Sequence, residues 1–279
     1  MPRSTRGSGM SSRRHLTFAL GVAISLALAA TAALSLVYTP RDPLAMAGAA
    51  RLEGPSRTHP FGTDQYGRDV LSRVMAGAPT SIAVGVIAVG IGALAGIVLG
   101  LASGWIGGWL DESAMRLVDA VQGFPAILSA LLFSAVFAPG IGISMVAIGI
   151  AFVPAFARLT RGAVLELRDR EFVVAARALG AGDRRLVLRH ILPNTMAPLI
   201  VQATTSFPVA ILAEAALAYL GLGTQPPHPS WGLMLKEAQN FLGMNPWFAL
   251  FPGGAIAVAV LGLNLLGDGL RDLLDPKAA

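Results

Sequence analysis

Six apolar runs, each of about the length that spans a lipid bilayer, alternate with polar segments along the chain. The segments between the runs hold most of the charged residues. Backbone groups inside a bilayer must be satisfied within the segment itself, so such runs predict helices. The pattern therefore predicts an all-α integral membrane protein of about six transmembrane helices, which cover residues 15–38, 81–105, 124–139, 141–159, 195–220 and 247–266.

The composition agrees with a membrane protein and excludes several kinds of site. Hydrophobic residues make up 54% of the 279 residues and charged residues only 13%, whereas a soluble domain carries roughly a quarter charged residues. The chain has no cysteine, which excludes disulfides, thiolate metal ligands and cysteine nucleophiles. Its net charge of +5 comes mostly from arginines that flank the apolar runs. Because aromatic residues are not interleaved with them, these arginines predict membrane topology and no nucleic-acid partner.

The arginines also predict which side of the membrane each segment faces. Residues 1–14 form a basic N-terminal tail, predicted to be cytoplasmic, and residues 15–38 form the first transmembrane helix. A cleaved signal peptide is the alternative for this run, whose length favours retention. Residues 39–79 follow as a loop outside the cytoplasm. The densest arginine cluster, residues 158–189, comes after the fourth span; four crossings predict the cytoplasm there, and six predict a cytoplasmic C-terminus.

A helix, a turn and a second helix are predicted in the stretch EFVVAARALGAGDRRLVLRHILPN, residues 171–194. Gly180 and Gly182 are predicted to end the first helix, because glycine adopts a positive φ without steric cost. Asp183 is predicted to cap the second helix, and Pro193 to end it. The product is a charged element that stands outside the bilayer.

This stretch resembles the cytoplasmic coupling loop of permease subunits in binding-protein-dependent ABC importers, in particular the dipeptide/oligopeptide/nickel branch. The resemblance rests on Ala175-Ala176, on the glycine at 180 and on the His-Ile-Leu-Pro string at 190–193. The strings HPFGTDQYGRD at 59–69 and GLGTQPPHPSWG at 221–232 are similar to the same branch. The resemblance therefore covers nearly the whole chain beyond the first span.

The resemblance implies a type I ABC importer permease fold with cytoplasmic coupling helices. Residues 80–279 would form a permease core of five transmembrane helices, with a coupling loop over residues 161–193. The implied location is the plasma (inner) membrane of a bacterium or archaeon, with several crossings. At the position where the family pattern often has an acidic residue before Ala-Ala, this chain has Val174, which bears on the contact with the ATPase rather than on the family.

The resemblance also implies partners and a set of functional residues. The partners are a second homologous permease, two ABC ATPase subunits, an extracytoplasmic substrate-binding protein and the lipid bilayer. ATP and Mg²⁺ would be bound by the ATPases, since no string in this chain matches a phosphate-binding P-loop; the chain is predicted to be no enzyme and to hold no cofactor. The residues implied in coupling are Glu171, Ala175, Ala176, Arg177, Gly180, Asp183, Arg184, Arg185, His190 and Pro193.

Two polar residues inside predicted spans, Glu214 and Asn264, are candidates for the transport pathway, because ionisable and polar groups at membrane depth are costly. For Glu214, a hydrogen bond to a neighbouring helix is the alternative. The four histidines are too scattered to predict a metal site.

A secondary transporter or channel driven by an ion gradient, with Glu214 as the coupling carboxylate, is the alternative function. The lack of an internal repeat speaks against it. The predicted cargo is di- or oligopeptides, with nickel chelates, glutathione and sugars as alternatives within the same branch.

Overall fold

The computed structural model describes residues 8–137 and 139–274, so residues 1–7 of the predicted N-terminal tail lie outside the described residues. Within this part of the chain the regular elements are helices, apart from one isolated bridge between Thr63 and Asp69. The α-helices are α1 (Ser8–Ser35), α2 (Val70–Ile106), α3 (Gly108–Gly123), α4 (Ala126–Phe137), α5 (Ile141–Leu167), α6 (Glu171–Ala178), α7 (Asp183–Arg185), α8 (Leu192–Tyr219), α9 (Trp231–Ala238) and α10 (Trp247–Leu274). The all-α class predicted from the sequence is confirmed.

Five helical segments of the described chain are long and apolar enough to cross a membrane: Leu16–Ser35, Val70–Ile106, Ile141–Leu167, Asp183–Tyr219 and Trp247–Leu274. The second begins within the stretch predicted as a loop. Asp69 caps it, since its Oδ2 accepts hydrogen bonds from the amide of Ser72 at 2.8 Å and from its hydroxyl at 2.7 Å. The last ten residues of the predicted loop 39–79 are thus the first turns of α2.

Helices α2 and α5 form a close parallel pair along a stripe of glycines. A Cβ added at Gly92 would lie 2.5 Å from the Cβ of Phe152, and one at Gly100 would lie 2.5 Å from the carbonyl oxygen of Ala157. Residues later in α2 therefore contact residues later in α5, which shows that the two helices run parallel. Small residues four positions apart, such as Gly92 and Gly96, allow helix backbones to approach closely within a bilayer.

The parallel pair requires one further crossing between α2 and α5. Helix α2 ends on the side that carries the arginine cluster, here called the arginine-rich side, and α5 starts on the opposite side, where the Gly140 amide donates to the carbonyl of Leu222. The return path is α4 with the last turns of α3, interrupted at Phe124 and Pro125. Twelve residues span only about 18 Å, so the predicted third span is a broken helix rather than a continuous one.

The first and last spans pack antiparallel, which places the start of α1 and the end of α10 on the arginine-rich side. A Cβ at Gly269 would lie 2.6 Å from the Cβ of Phe18, whereas Gly262, about two helix turns away, packs against Ile24. The two ends of the described chain therefore lie on one side of the bundle. That arrangement requires an even number of crossings and agrees with six.

On the opposite side, residues 39–69 fold onto α9 and the top of α2. Asn245 Nδ2 donates to the backbone carbonyls of Glu53 and Thr63, at 3.0 and 3.1 Å. Trp231, fully buried, donates from Nε1 to the carbonyl of Val74 at 2.9 Å. The segment is a packed cap on the bundle and not an open loop.

Four charged side chains lie in the interior of this cap. Arg68 Nε is 2.6 Å from Asp64 Oδ2, and Arg73 Nη2 is 2.7 Å from Glu237 Oε2; Arg68 also reaches Glu237 at 3.2 Å. Both guanidinium groups are almost completely buried. Two positive and two negative charges balance, which explains how arginines occur so far from the arginine-rich side.

We expect Gly96→Ala to destabilise the bundle by about 1–3 kcal/mol, because the added Cβ would lie 2.5 Å from the Cβ of Phe156 and 2.8 Å from the carbonyl oxygen of Val153. Gly90→Ala, on the same helix, is the matched control, since nothing lies within 4 Å of its added Cβ. Alanine there should be neutral or stabilising by up to about 1 kcal/mol. Thermal unfolding of the detergent-solubilised protein measures both; equal midpoints would contradict the close packing.

Candidate coupling loop

The coupling loop predicted from the sequence is a compact element at the arginine-rich side. Helix α6 begins after Arg170 and ends at Ala178; Leu179 is its C-cap, and Gly180 follows with φ of +85°. The amide of Ala181 donates to the carbonyl of Ala176 at 3.1 Å, and that of Gly180 to the carbonyl of Arg177 at 2.9 Å. These two bonds form a Schellman motif, which requires the positive φ that the sequence predicted at Gly180. Gly182 has φ of −71°, so only one of the two glycines is needed for its backbone conformation.

The second half of the loop differs from its prediction. Asp183 is the first residue of α7 and not its cap, because Gly182 occupies the cap position and the cap has no side-chain bond. Pro193 does not end the helix either. A π-helical turn, Leu186–Ile191, joins α7 to α8, and the amide of Leu192 donates to the carbonyl of Val187, five residues back. The wider turn makes room for the proline ring, so the helix continues through Pro193 to Tyr219.

A small apolar cluster fixes the loop to the ends of the membrane helices. Val173 of α6 and Leu186 and Ile191 of the π-helical turn are completely buried, together with Val164 of α5. Trp105 and Leu101 of α2 and the half-buried Ala176 pack against them. The cluster therefore joins the loop to α2, to α5 and to the turn that leads into α8.

The side of α6 that faces away from the bundle is apolar and uncovered. Leu179 is 89% exposed, and Phe172 and Val174 are 42% and 52% exposed. Ala175 and Ala178 are also exposed, whereas Ala176 faces inward. Exposed apolar side chains concentrated on one anchored helix indicate a protein contact surface.

The charged residues of the loop divide into two groups. Arg177 is exposed, and its guanidinium lies over the ring of Trp105, 5.2 Å from the ring centroid, so this contact holds α6 against α2. Glu171, Asp183, Arg184, Arg185 and Arg189 are exposed. A shallow cavity of about 520 Å³ is lined by Gly182, Asp183, Arg184, Arg185, Leu188 and Arg189.

His190 and Pro193 lie where the loop joins α8. His190 is partly buried, and its backbone carbonyl accepts a hydrogen bond from Asn194 Nδ2 at 2.6 Å. Pro193 is exposed. All ten predicted coupling residues are therefore in one element, but they do not share one surface, and their role in coupling stays a prediction.

An ion pair that the sequence did not reveal supports the loop from α3. Asp111, in the first turn of α3, accepts from Arg161 Nε and Nη2 at 2.6 and 2.7 Å and from the hydroxyl of Ser103. The hydrogen bonds from Arg161 and Ser103 lower the pKa of Asp111 from 3.8 to about 2. Nothing in the residue order marks this pair, because 50 residues separate its members.

We expect Asp111→Asn to lower the melting temperature at neutral pH and to remove an acid-dependent loss of stability. The folded-state pKa is depressed, so the stabilisation is present above pH about 4 and lost as pH falls towards 2. Thermal unfolding in detergent at pH 6 and pH 3 measures the difference. Glu112→Gln is the control, since its ion pair with Arg116 is exposed and should contribute at most about 0.5 kcal/mol. A D111N variant with the acid sensitivity of the wild type would contradict this assignment.

The two intramembrane candidates lie in different surroundings. Glu214 is 1% exposed, and its Oε1 lies 3.5 Å from the hydroxyl of Thr224 in the segment after α8. It is enclosed within the protein. Asn264 is exposed on the surface of α10. A pathway role for either residue stays a prediction.

Comparison with known proteins identifies the family. A family model described as binding-protein-dependent transport system inner membrane component matches residues 96–279. The chain belongs to this family. The dipeptide transport system permease protein DppC of Alkalihalophilus pseudofirmus is 48% identical over 227 residues, which cover 81% of this chain and 75% of that protein. The glutathione transport system permease protein GsiD of Escherichia coli O1:K1 is 49% identical over 224 residues, covering 80% and 74%.

The fold also has a counterpart among solved structures. A chain of the MetNI methionine ABC transporter, in an inward-facing conformation, matches with a TM-score of 0.59 and 18% identity over 73% of this chain and 96% of its own length. This likeness concerns the fold alone and confirms the type I ABC permease fold. With the family, it makes the chain a multi-pass permease subunit of an ABC importer of the dipeptide/oligopeptide branch.

Proposed function

We propose that this permease forms half of the translocation pathway of an ATP-driven importer of di- and oligopeptides, and that the loop 161–193 couples the pathway to separate ATPase subunits. The observation that carries the proposal is the anchored helix α6 with its uncovered apolar face. Leu179 is held on a rigid turn by Gly180 and yet is almost fully exposed. A partner that encloses Leu179 gains apolar burial, and the cluster around Val173 passes its motion to α2, α5 and α8.

The remaining partners and the orientation follow from the same proposal. The arginine-rich side faces the cytoplasm, with both chain ends, and the cap formed by residues 39–69 and α9 faces outward in the plasma membrane. There it would meet an extracytoplasmic substrate-binding protein. A second homologous permease completes the pathway, since one coupling loop serves one of two ATPases. ATP and Mg²⁺ are bound by the ATPases, and this chain carries no cofactor.

Uptake of a radiolabelled dipeptide tests the proposal. Cells that lack the gene should lose uptake and regain it with the intact chain, and a protonophore should leave uptake intact as long as cellular ATP is maintained. Unlabelled glutathione and a nickel chelate serve as competitors, because a relative at 49% identity is a glutathione permease. Uptake that depends on the ion gradient instead of ATP would refute the proposal. Competition by glutathione, without competition by unlabelled dipeptides, would show that glutathione and not peptides in general is the cargo.

A further inference from the structure

A polar cavity of about 460 Å³ opens on the side of the bundle opposite the arginine cluster. Its walls come from three elements: the turn at Gln65 and Tyr66, the segment between α8 and α9, and α9 with the turn that follows it. Cavities that hold small ligands have volumes of roughly 300–1,000 Å³. The residues that contribute its polar groups are Gln65, Gln225, Lys236, Glu237, Gln239 and Asn240.

One wall of the cavity contains a buried acceptor that lacks a donor. Gln65 is only 7% exposed, and its Oε1 has no hydrogen-bond partner among the described residues. The backbone around it is fixed, because the carbonyl of Gln65 accepts from Arg51 Nε at 2.7 Å. A buried amide oxygen without a partner is costly, so this wall is suited to an incoming N–H group.

A second wall provides a positive charge that is not neutralised. Lys236 has no ion-pair or hydrogen-bond partner in the part of the chain that the structure describes, and its Nζ lies beside Gly221. The neighbouring carboxylate of Glu237 is occupied by Arg68 and Arg73. Lys236 therefore remains available to an anion that enters the cavity.

The third wall is held in place by its own hydrogen bonds. Gln225 Nε2 donates to the carbonyls of Gly221 and Gly223, both at 3.0 Å. The Tyr66 ring stacks under the Arg68 guanidinium, 4.7 Å from its centroid, and is 46% exposed. The cavity thus has a rigid rim and an aromatic edge.

We propose that this cavity binds the carboxyl end of a small peptide. The peptide carboxylate would pair with Lys236, and the adjacent amide N–H would donate to Gln65 Oε1. A carboxylate and an N–H two atoms away from it occur together at the C-terminus of every peptide that does not end in proline, so the site would be tolerant of most side chains. The inference rests on the proposed function for its cargo and adds a subsite on the permease itself.

Binding to the purified full chain in nanodiscs tests the site. Because the chain has no cysteine, Asn240→Cys introduces a single position for an environment-sensitive fluorophore at the rim. Alanyl-alanine should give a saturable signal, and alanyl-alanine amide, which lacks the carboxylate, should bind at least about tenfold more weakly. Equal affinity for the two, or no saturable signal for either, would overturn the proposal.

Variants distinguish the site from a general effect on folding. Lys236→Met should weaken alanyl-alanine binding at least about tenfold, Lys236→Arg should retain most of it, and Gln65→Leu should weaken it by a smaller factor. Arg57→Met is the matched control, because Arg57 is an exposed cation of the same cap that does not line the cavity. Unchanged binding by K236M, or equal losses in K236M and R57M, would overturn the proposal.

The outcome is separable from that of the proposed function. The binding assay contains no ATPase, so ATP-independent uptake in cells would refute the coupling role and leave the cavity untouched. A signal that arises only when an extracytoplasmic binding protein is added without peptide would assign the carboxylate to an acidic side chain of that protein, and would overturn the peptide subsite.

Discussion

Leu179→Asp is expected to reduce ATP-driven uptake at least about tenfold while the permease remains folded in the membrane. Leu179 contributes the largest exposed apolar surface of α6, and burying a leucine stabilises a contact by about 1.5–3 kcal/mol. An aspartate at that position would also have to be desolvated on docking. Uptake of labelled dipeptide and the amount of chain in purified membranes, measured together, separate coupling from expression.

Leu273→Asp is the matched control for this experiment. Leu273 is 55% exposed and lies in the last turn of α10, on the same side of the bundle but away from the loop. The same charge change there should leave uptake within about twofold. If L179D transported as well as L273D, α6 would not be the contact surface of an ATPase.

Glu237→Gln is expected to destabilise the cap on the opposite side by about 3–5 kcal/mol, the cost of breaking a buried ion pair from one side. Its carboxylate accepts from Arg73 at 2.7 Å and from Arg68 at 3.2 Å. The amide keeps the volume and removes the charge, so two buried guanidinium groups would share the single carboxylate of Asp64. Chemical unfolding of the solubilised protein, followed by tryptophan fluorescence to which the buried Trp231 contributes, measures the loss.

Glu166→Gln makes the same chemical change at an exposed pair. The side chains of Arg170 and Glu166 are 59% and 67% exposed, so the variant should change stability by at most about 0.5 kcal/mol. Adding Arg73→Met to Glu237→Gln should cost less than the sum of the single changes, because the two side chains interact. Additive losses, or an E237Q variant as stable as E166Q, would show that the network does not hold the cap.

Features set by neighbouring residues could be predicted from the sequence. The positive φ at Gly180 and the cap at Asp69 each depend on a few consecutive residues, and both are present. The spacing of Gly92 and Gly96 also favours a close helix contact, because it places both glycines on one face of the helix. The sequence could not reveal that the partner helix is α5 and that it runs parallel.

Other features depend on residues far apart in the chain. The pairs Asp111 with Arg161 and Arg73 with Glu237 join segments separated by 50 and 164 residues, and no local pattern marks them. Pro193 was predicted to end a helix because the rule concerns α-helices, and a π-helical turn accommodates it. The sequence places Leu179 directly before the glycine that ends the helix. Only the fold shows that nothing in the described chain covers its side chain.

Affinity purification of the tagged chain from mild detergent extracts of its native membranes tests the central claim most directly. The account predicts that a second permease and P-loop ATPases are recovered with the wild-type chain, and that the ATPases, but not the second permease, are lost with Leu179→Asp. Recovery of the chain alone, together with solute transport in ATP-free liposomes under an ion gradient, would contradict it.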